Sequence, residues 1–144
     1  MSRIYLHREV YDELARYAGE HLPKESCGLL GGREDESGRH VEKIYYLTNV
    51  DDAEDHFTMD PKEQLEAVKD MRALGLTPLG NWHSHPDTPS RPSREDVKLA
   101  HDPGASYMIL SFMTEHPVLN SFRVTDGEVV KEDLRIFSDE HPDW

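Results

Sequence analysis

The sequence predicts an α/β domain in which a mixed central β-sheet is flanked by helices and finished by a C-terminal β-hairpin. Three observations carry this. Segments with helical spacing of apolar residues alternate with short runs rich in β-branched and aromatic residues. The stretch "DPKEQLEAVKDMRALG" has both ends of a helix written into it. Near the end, Asp126-Gly127 separates two alternating runs, and it is the two-residue turn that an antiparallel pair favours.

Taken in order, "REVYDELARYAGEHL" puts Val10, Leu14 and Tyr17 on one helical face, with Pro23 just past its end. "CGLLGG" and "RHVEKIYYLTN" then predict a strand pair, with the polar "REDESG" as the turn between them. In the second helix Asp60 is the N-cap, Pro61 the first helical residue, Glu63 the partner in a capping box, and Gly75 the residue after the end. "PLGNWHSH" follows as a strand, residues 94–100 as a short helix, and "SYMILSF" as a strand apolar on both faces. "SFRVTDGEVVKEDLRIF" is expected to form the closing hairpin. No repeat and no linker interrupts the chain, so residues 1–144 are read as one domain.

Composition narrows the function. With 36% apolar and 31% charged residues the chain reads as globular. No apolar run approaches the roughly 20 residues of a membrane span, and the N-terminus lacks the apolar core of a secretory signal, which predicts a cytoplasmic protein. The single cysteine, Cys27, excludes an internal disulfide and fits a reducing compartment. It sits in an apolar run, as a small buried side chain would. A net charge of −13 argues against nucleic acid as partner, because that binding rests on a basic surface. The acid excess fits either a basic partner or a salt-rich cytoplasm that screens self-repulsion. The oligomeric state is not written in the sequence.

The chemistry concentrates in "GNWHSHPDTPSRPSREDVKLA". Residues two apart share one face of a strand, so the imidazoles of His83 and His85 can reach a single ion. Trp82 and Ser84 then point the other way, to pack behind the strand and hold it. Pro86, Pro89 and Pro92 stiffen the loop that returns Asp96 toward the strand. Two imidazoles and a carboxylate are a familiar ligand set for zinc in catalytic sites. Ser93 and Asp96 have the spacing of a capping box too, and the two readings are compatible. His56 and His101 lie near this segment and read as surface histidines.

"HSHP", the seven residues from Pro86 to Pro92, and "SRED" ending at Asp96 together resemble the JAMM motif of the MPN-plus metalloproteases at every position. "PKESCGLLGG" resembles the family's upstream segment, and "HFTMDPKE", "GNWHSHP" and "YMILSF" extend the likeness over roughly residues 5–124. The similarity is to small stand-alone prokaryotic members. It implies a single MPN-like domain with one zinc ion (Zn2+) per chain, held by His83, His85 and Asp96 with a water completing the set. It further implies Glu25 as general base and Ser93 as hydrogen-bond donor to the oxyanion. The implied reaction is hydrolysis of a peptide or isopeptide bond after the Gly-Gly tail of a ubiquitin-like or sulfur-carrier protein. The tail is expected to lie extended along an exposed sheet edge. The alternative is a non-catalytic MPN-type binding module for such tails, against which the presence of Glu25 counts. A zinc deaminase would need a Pro-Cys-x-x-Cys segment, which a chain with one cysteine does not have.

Overall fold

Ile4 and Leu6 alternate with partly or fully exposed neighbours and are themselves wholly buried, which makes Arg3–His7 the first strand, β1. The computed structural model describes residues 2–139; Met1 and residues 140–144, part of the expected single domain, lie outside the described residues. The strand was not expected from the sequence, because the helical pattern follows it with no turn between. His7 ends β1 and also caps α1 (Arg8–Glu20), its Nδ1 accepting from the Glu9 amide at 3.1 Å. Leu14 and Ala18 are the buried stripe of that helix.

The expected strand pair is β2 (Cys27–Asp35) and β3 (Gly38–Leu47), antiparallel, with its turn at Glu36 and Ser37. Helix α2 (Pro61–Leu74) has Asp60 as N-cap, its side chain accepting from the amides of Lys62 and Glu63, and ends at Gly75 in the left-handed conformation, φ 74°. The expected capping box is only half formed. The Glu63 carboxylate accepts from the Thr48 amide at 2.9 Å, while the Asp60 amide donates to the Thr48 carbonyl, so this pair ties the helix start to the end of β3. Strand β4 (Thr77–His85), helix α3 (Arg94–Leu99), β5 (Ser106–Ser111) and β6 (Val118–Thr125) follow as read from the sequence.

The C-terminal segment differs from the expected hairpin in its second half. Asp126 and Gly127 both have positive φ, 50° and 81°, and join β6 to the antiparallel β7 (Glu128–Lys131). After Glu132 the chain leaves β6, and β8 (Asp133–Phe137) pairs parallel with β1. The sheet order is β7-β6-β5-β4-β2-β3-β1-β8, so one residue, Glu132, joins the two edge strands and the sheet must curl to bring its ends near each other. Glu132 is 2% exposed. Its amide still bonds the Ser121 carbonyl, and its carboxylate accepts from the hydroxyls of Ser121 at 2.7 Å and Ser2 at 2.8 Å.

Alternation along the strands divides the core in two. Ile4, Leu6, Leu30, Trp82, Met108 and Leu110 pack with α1, whereas Tyr45 and Leu47 pack with Ala67 and Met71 of α2. The indole of Trp82 crosses β2 to donate to the Tyr45 carbonyl at 3.1 Å. It passes over Gly28, where a Cβ would collide with both the Tyr45 carbonyl oxygen and the indole nitrogen. Cys27 pairs in register with both Leu47 and His83, so His83 and His85 lie on the α2 side of the sheet. Among the described residues no helix is long and apolar enough to cross a membrane.

Candidate active site

At the end of β4, His83 and His85 are 3% and 4% exposed and point away from the Trp82 core. Their Nε2 atoms lie 3.0 Å apart, and each is 3.1 Å from Oδ2 of Asp96. Asp96 reaches them because the loop after β4 is pinned to the sheet. The Ser90 hydroxyl donates to the Ile109 carbonyl at 2.6 Å, that of Ser111 to the Thr88 carbonyl at 2.5 Å, and the Asn120 amide group to the Ser90 carbonyl at 3.2 Å. The capping box of α3 is present in full: the Asp96 amide donates to Ser93 Oγ, and the Ser93 amide donates to Asp96 Oδ2 at 2.9 Å. One carboxylate oxygen thus serves the cap and meets both imidazoles.

Two imidazole nitrogens and a carboxylate oxygen brought together out of water present lone pairs that either shared protons or a bound cation would satisfy. The Nδ1 of His85 lies 2.9 Å from the Pro89 carbonyl, which can only accept, so Nδ1 carries a proton. Burial opposes charging of this ring, but hydrogen bonds with Asp96 and Pro89 outweigh it and raise the pKa; in the neutral form the Nε2 lone pair is the one that faces Asp96. Burial lowers the pKa of His83, favouring the neutral form that ligates metals. Burial opposes ionisation of Asp96, but hydrogen bonds with His83 and His85 hold its carboxyl well below the usual carboxylate range. Two imidazole nitrogens and a carboxylate oxygen at these separations fit one ion with bonds of about 2.0–2.2 Å. His83, His85 and Asp96 are the group of His, Cys, Asp or Glu residues among those described that could hold a metal ion.

The triad stands between two clefts. The first, about 360 Å³, contains His83 and Asp96 and is walled mainly by apolar side chains, among them Phe57, Met59, Leu99 and Ile109. The second, about 240 Å³, contains His85 with Glu25 and Ser93, and its rim carries Glu54, Asp55 and Asp87. Both motif residues expected outside the ligand set therefore share one cleft with His85. Glu25 is 7% exposed. Burial, with a smaller push from Asp96 against the opposing pull of His85, brings its carboxyl up to about 7. Cys27 is buried nearby with its thiol pushed up to about 12, chiefly by burial, as expected of an unreactive side chain. His56 and His101 are exposed and do not join the triad.

Two residues given no role in the sequence analysis belong to this site. Asn49 donates from its side chain to the carbonyls of Glu25 and His56, both at 3.1 Å, and its Oδ1 accepts from the amides of Asp51 and Thr58. Phe57 stacks on the His83 ring. An asparagine closing a strand just before an acidic loop, and a single aromatic within that loop, were the available signals. The expectation of an exposed sheet edge fails at the triad, because β4 is paired along both sides, with β2 and with β5.

The likenesses to known proteins agree with this geometry. A curated relative, the CysO-cysteine peptidase of Mycobacterium tuberculosis, is 32% identical over 136 residues, covering 92% of this chain and 90% of its own. The desampylase of Haloferax volcanii is 32% identical over 116 residues, covering 76% and 81%. The solution structure of a protein from Desulfitobacterium hafniense superposes with a TM-score of 0.84 at 46% identity, over 98% of this chain and 99% of that one. The family model for prokaryotic homologs of the JAB domain matches residues 7–125, and the chain belongs to that family.

Proposed function

We propose that this protein is a zinc metallopeptidase that hydrolyses the amide or isopeptide bond after the Gly-Gly tail of a ubiquitin-like or sulfur-carrier protein. The observation that carries the reading is the convergence of His83 Nε2, His85 Nε2 and Asp96 Oδ2 beside a cleft that also contains the buried carboxyl of Glu25. Zinc bound there would supply Lewis acidity and lower the pKa of a water from about 16 to about 7. Glu25 takes the proton of the attacking water on its carboxylate and passes it to the leaving amine. Burial raises the affinity of that carboxyl for a proton, which suits a group that must first accept one and then hand it on. The Ser93 hydroxyl, anchored at the start of α3, donates to the oxyanion of the tetrahedral intermediate.

The two clefts suggest how a substrate lies. Glu25 must reach the leaving amine, so the amine side belongs in the acidic cleft and the acyl side in the apolar one. Since β4 has no free edge, the tail runs across the face of the strand. Glycines before the scissile bond let its backbone pass close to the triad. The names of the two relatives, a CysO-cysteine peptidase and a desampylase, support hydrolysis as the reaction. A non-catalytic module for such tails would gain nothing from holding Glu25 out of water. We assign the protein to the cytoplasm, an assignment with which a single buried thiol is compatible.

The test is to incubate zinc-loaded protein with Gly-Gly-ended carrier proteins bearing extra C-terminal residues, and to read the products by mass. Cleavage after the second glycine is expected. Glu25→Gln should retain zinc and fold while losing about 10²- to 10⁴-fold in rate. No cleavage of any such carrier, or a Glu25→Gln variant as fast as the parent, would overturn the reading.

A further inference from the structure

We propose that Phe57 is the positioning residue for His83, holding by ring stacking the ring orientation that a hydrogen bond holds for His85. This rests on the metal-site reading above and adds to it a residue outside the motif. A ligating imidazole must be held in both of its side-chain torsions, and the usual device is a hydrogen bond from the ring nitrogen that does not bind the metal. His85 has that bond, from Nδ1 to the Pro89 carbonyl at 2.9 Å. His83 does not: its Nδ1 is buried with no hydrogen-bond partner among the described residues. Phe57 lies against the ring instead, with centroids 4.6 Å apart and planes 26° from parallel. A face-to-face contact of this kind restricts rotation about the Cβ–Cγ bond of the histidine while leaving Nε2 free to point at Asp96.

Such a residue must itself be fixed, and the loop carrying it is tied down on both sides of Phe57. The Val50 amide donates to the Thr58 carbonyl at 2.9 Å, and the Thr58 hydroxyl to Asp51 at 2.6 Å. Asn49 forms a bridge with Met59, and its side chain joins the His56 and Thr58 backbone to that of Glu25. The loop therefore links the ring that holds a ligand to the backbone of the proposed base, across the site. Phe57 also walls the apolar cleft, so its removal has two separable consequences: a looser His83, and a wider cleft.

The experiment measures Zn2+ affinity by competition with a chromogenic chelator, and the visible absorption bands of Co2+ substituted into the same site. Parent, Phe57→Ala, Phe57→Leu and Phe57→Tyr are compared. Phe57→Ala is expected to bind Zn2+ about 10-fold more weakly and to alter the Co2+ bands, with Phe57→Tyr close to the parent because it keeps the flat ring. Phe57→Leu keeps apolar bulk without the ring and should resemble Phe57→Ala; it carries the test if the alanine variant does not fold. If both variants bind Zn2+ and colour Co2+ like the parent while only KM rises, Phe57 is a cleft wall and the inference fails alone. If the parent protein binds neither ion, the metal-site reading fails and this inference with it.

Discussion

Strand β4 sets two chemistries back to back within four residues. Trp82, His83, Ser84 and His85 are all nearly inaccessible, so burial does not tell them apart. What differs is how their polar atoms are satisfied. On one face the Trp82 indole donates to the Tyr45 carbonyl, and the Ser84 hydroxyl accepts from the Ser26 amide at 2.8 Å. On the other, two imidazole nitrogens confront each other and a carboxylate. On the first face the polar atoms of Trp82 and Ser84 meet backbone partners and contribute stability; on the second, titratable groups face one another and the Nδ1 of His83 has no hydrogen-bond partner among the described residues. What marks the second face is the convergence of two imidazoles and a carboxylate on one point.

Three substitutions and one labelling experiment would break or sharpen that contrast. Asp96→Ala acts on the open face and should have the largest effect, taking zinc content from about one per chain to near zero and abolishing hydrolysis. Elemental analysis and a cleavage assay read it, and unchanged zinc content would remove Asp96 from the ligand set. Trp82→Ala acts on the closed face and should cost about 3–5 kcal/mol of stability in denaturant unfolding. The zinc content of its folded fraction should stay at the parent level; a proportionate loss of both would mean that the two faces are one unit. Ser84→Ala, which strips the Ser26 amide of its acceptor, should cost about 1–3 kcal/mol and leave zinc affinity alone. The smallest response is expected from Cys27. With burial raising its thiol to about 12, the unreactive protonated form holds throughout the neutral range, and a thiol reagent should label it only after unfolding, as mass analysis would record.

Much of this was legible in the sequence where the determinant is local. The caps of α2, the Asp126-Gly127 turn and the strand that sets His83 and His85 on one face each depend on residues within a few positions of one another. Strand β1 was not legible because its partners, Arg39–Val41 and Asp133–Phe137, are remote, and nothing in five residues announces them. For the same reason the return strand of the hairpin was read as continuing along β6. Turn chemistry selects the first pairing, but β1 competes for the rest of that segment. The motif brought out His83, His85, Asp96 and Glu25, whereas Asn49 and Phe57 are joined to them by a backbone network and a ring contact that leave no spacing to read.

The single residue that joins β7 to β8 also sets the order in which this molecule can be made. Pairs such as β2 with β3 and β6 with β7 join neighbours in the chain, but β1 and β8 meet across about 130 residues. Closing so long a loop is entropically costly, and folds dominated by such pairings form slowly. A nascent chain could assemble the His83 strand between β2 and β5 before β8 arrives, yet β1 would still lack its partner on one side. Until that moment β1 offers an unpaired edge to any other strand nearby. Pairing of residues 133–137 with β1 covers that edge, which the strands around His83 do not reach.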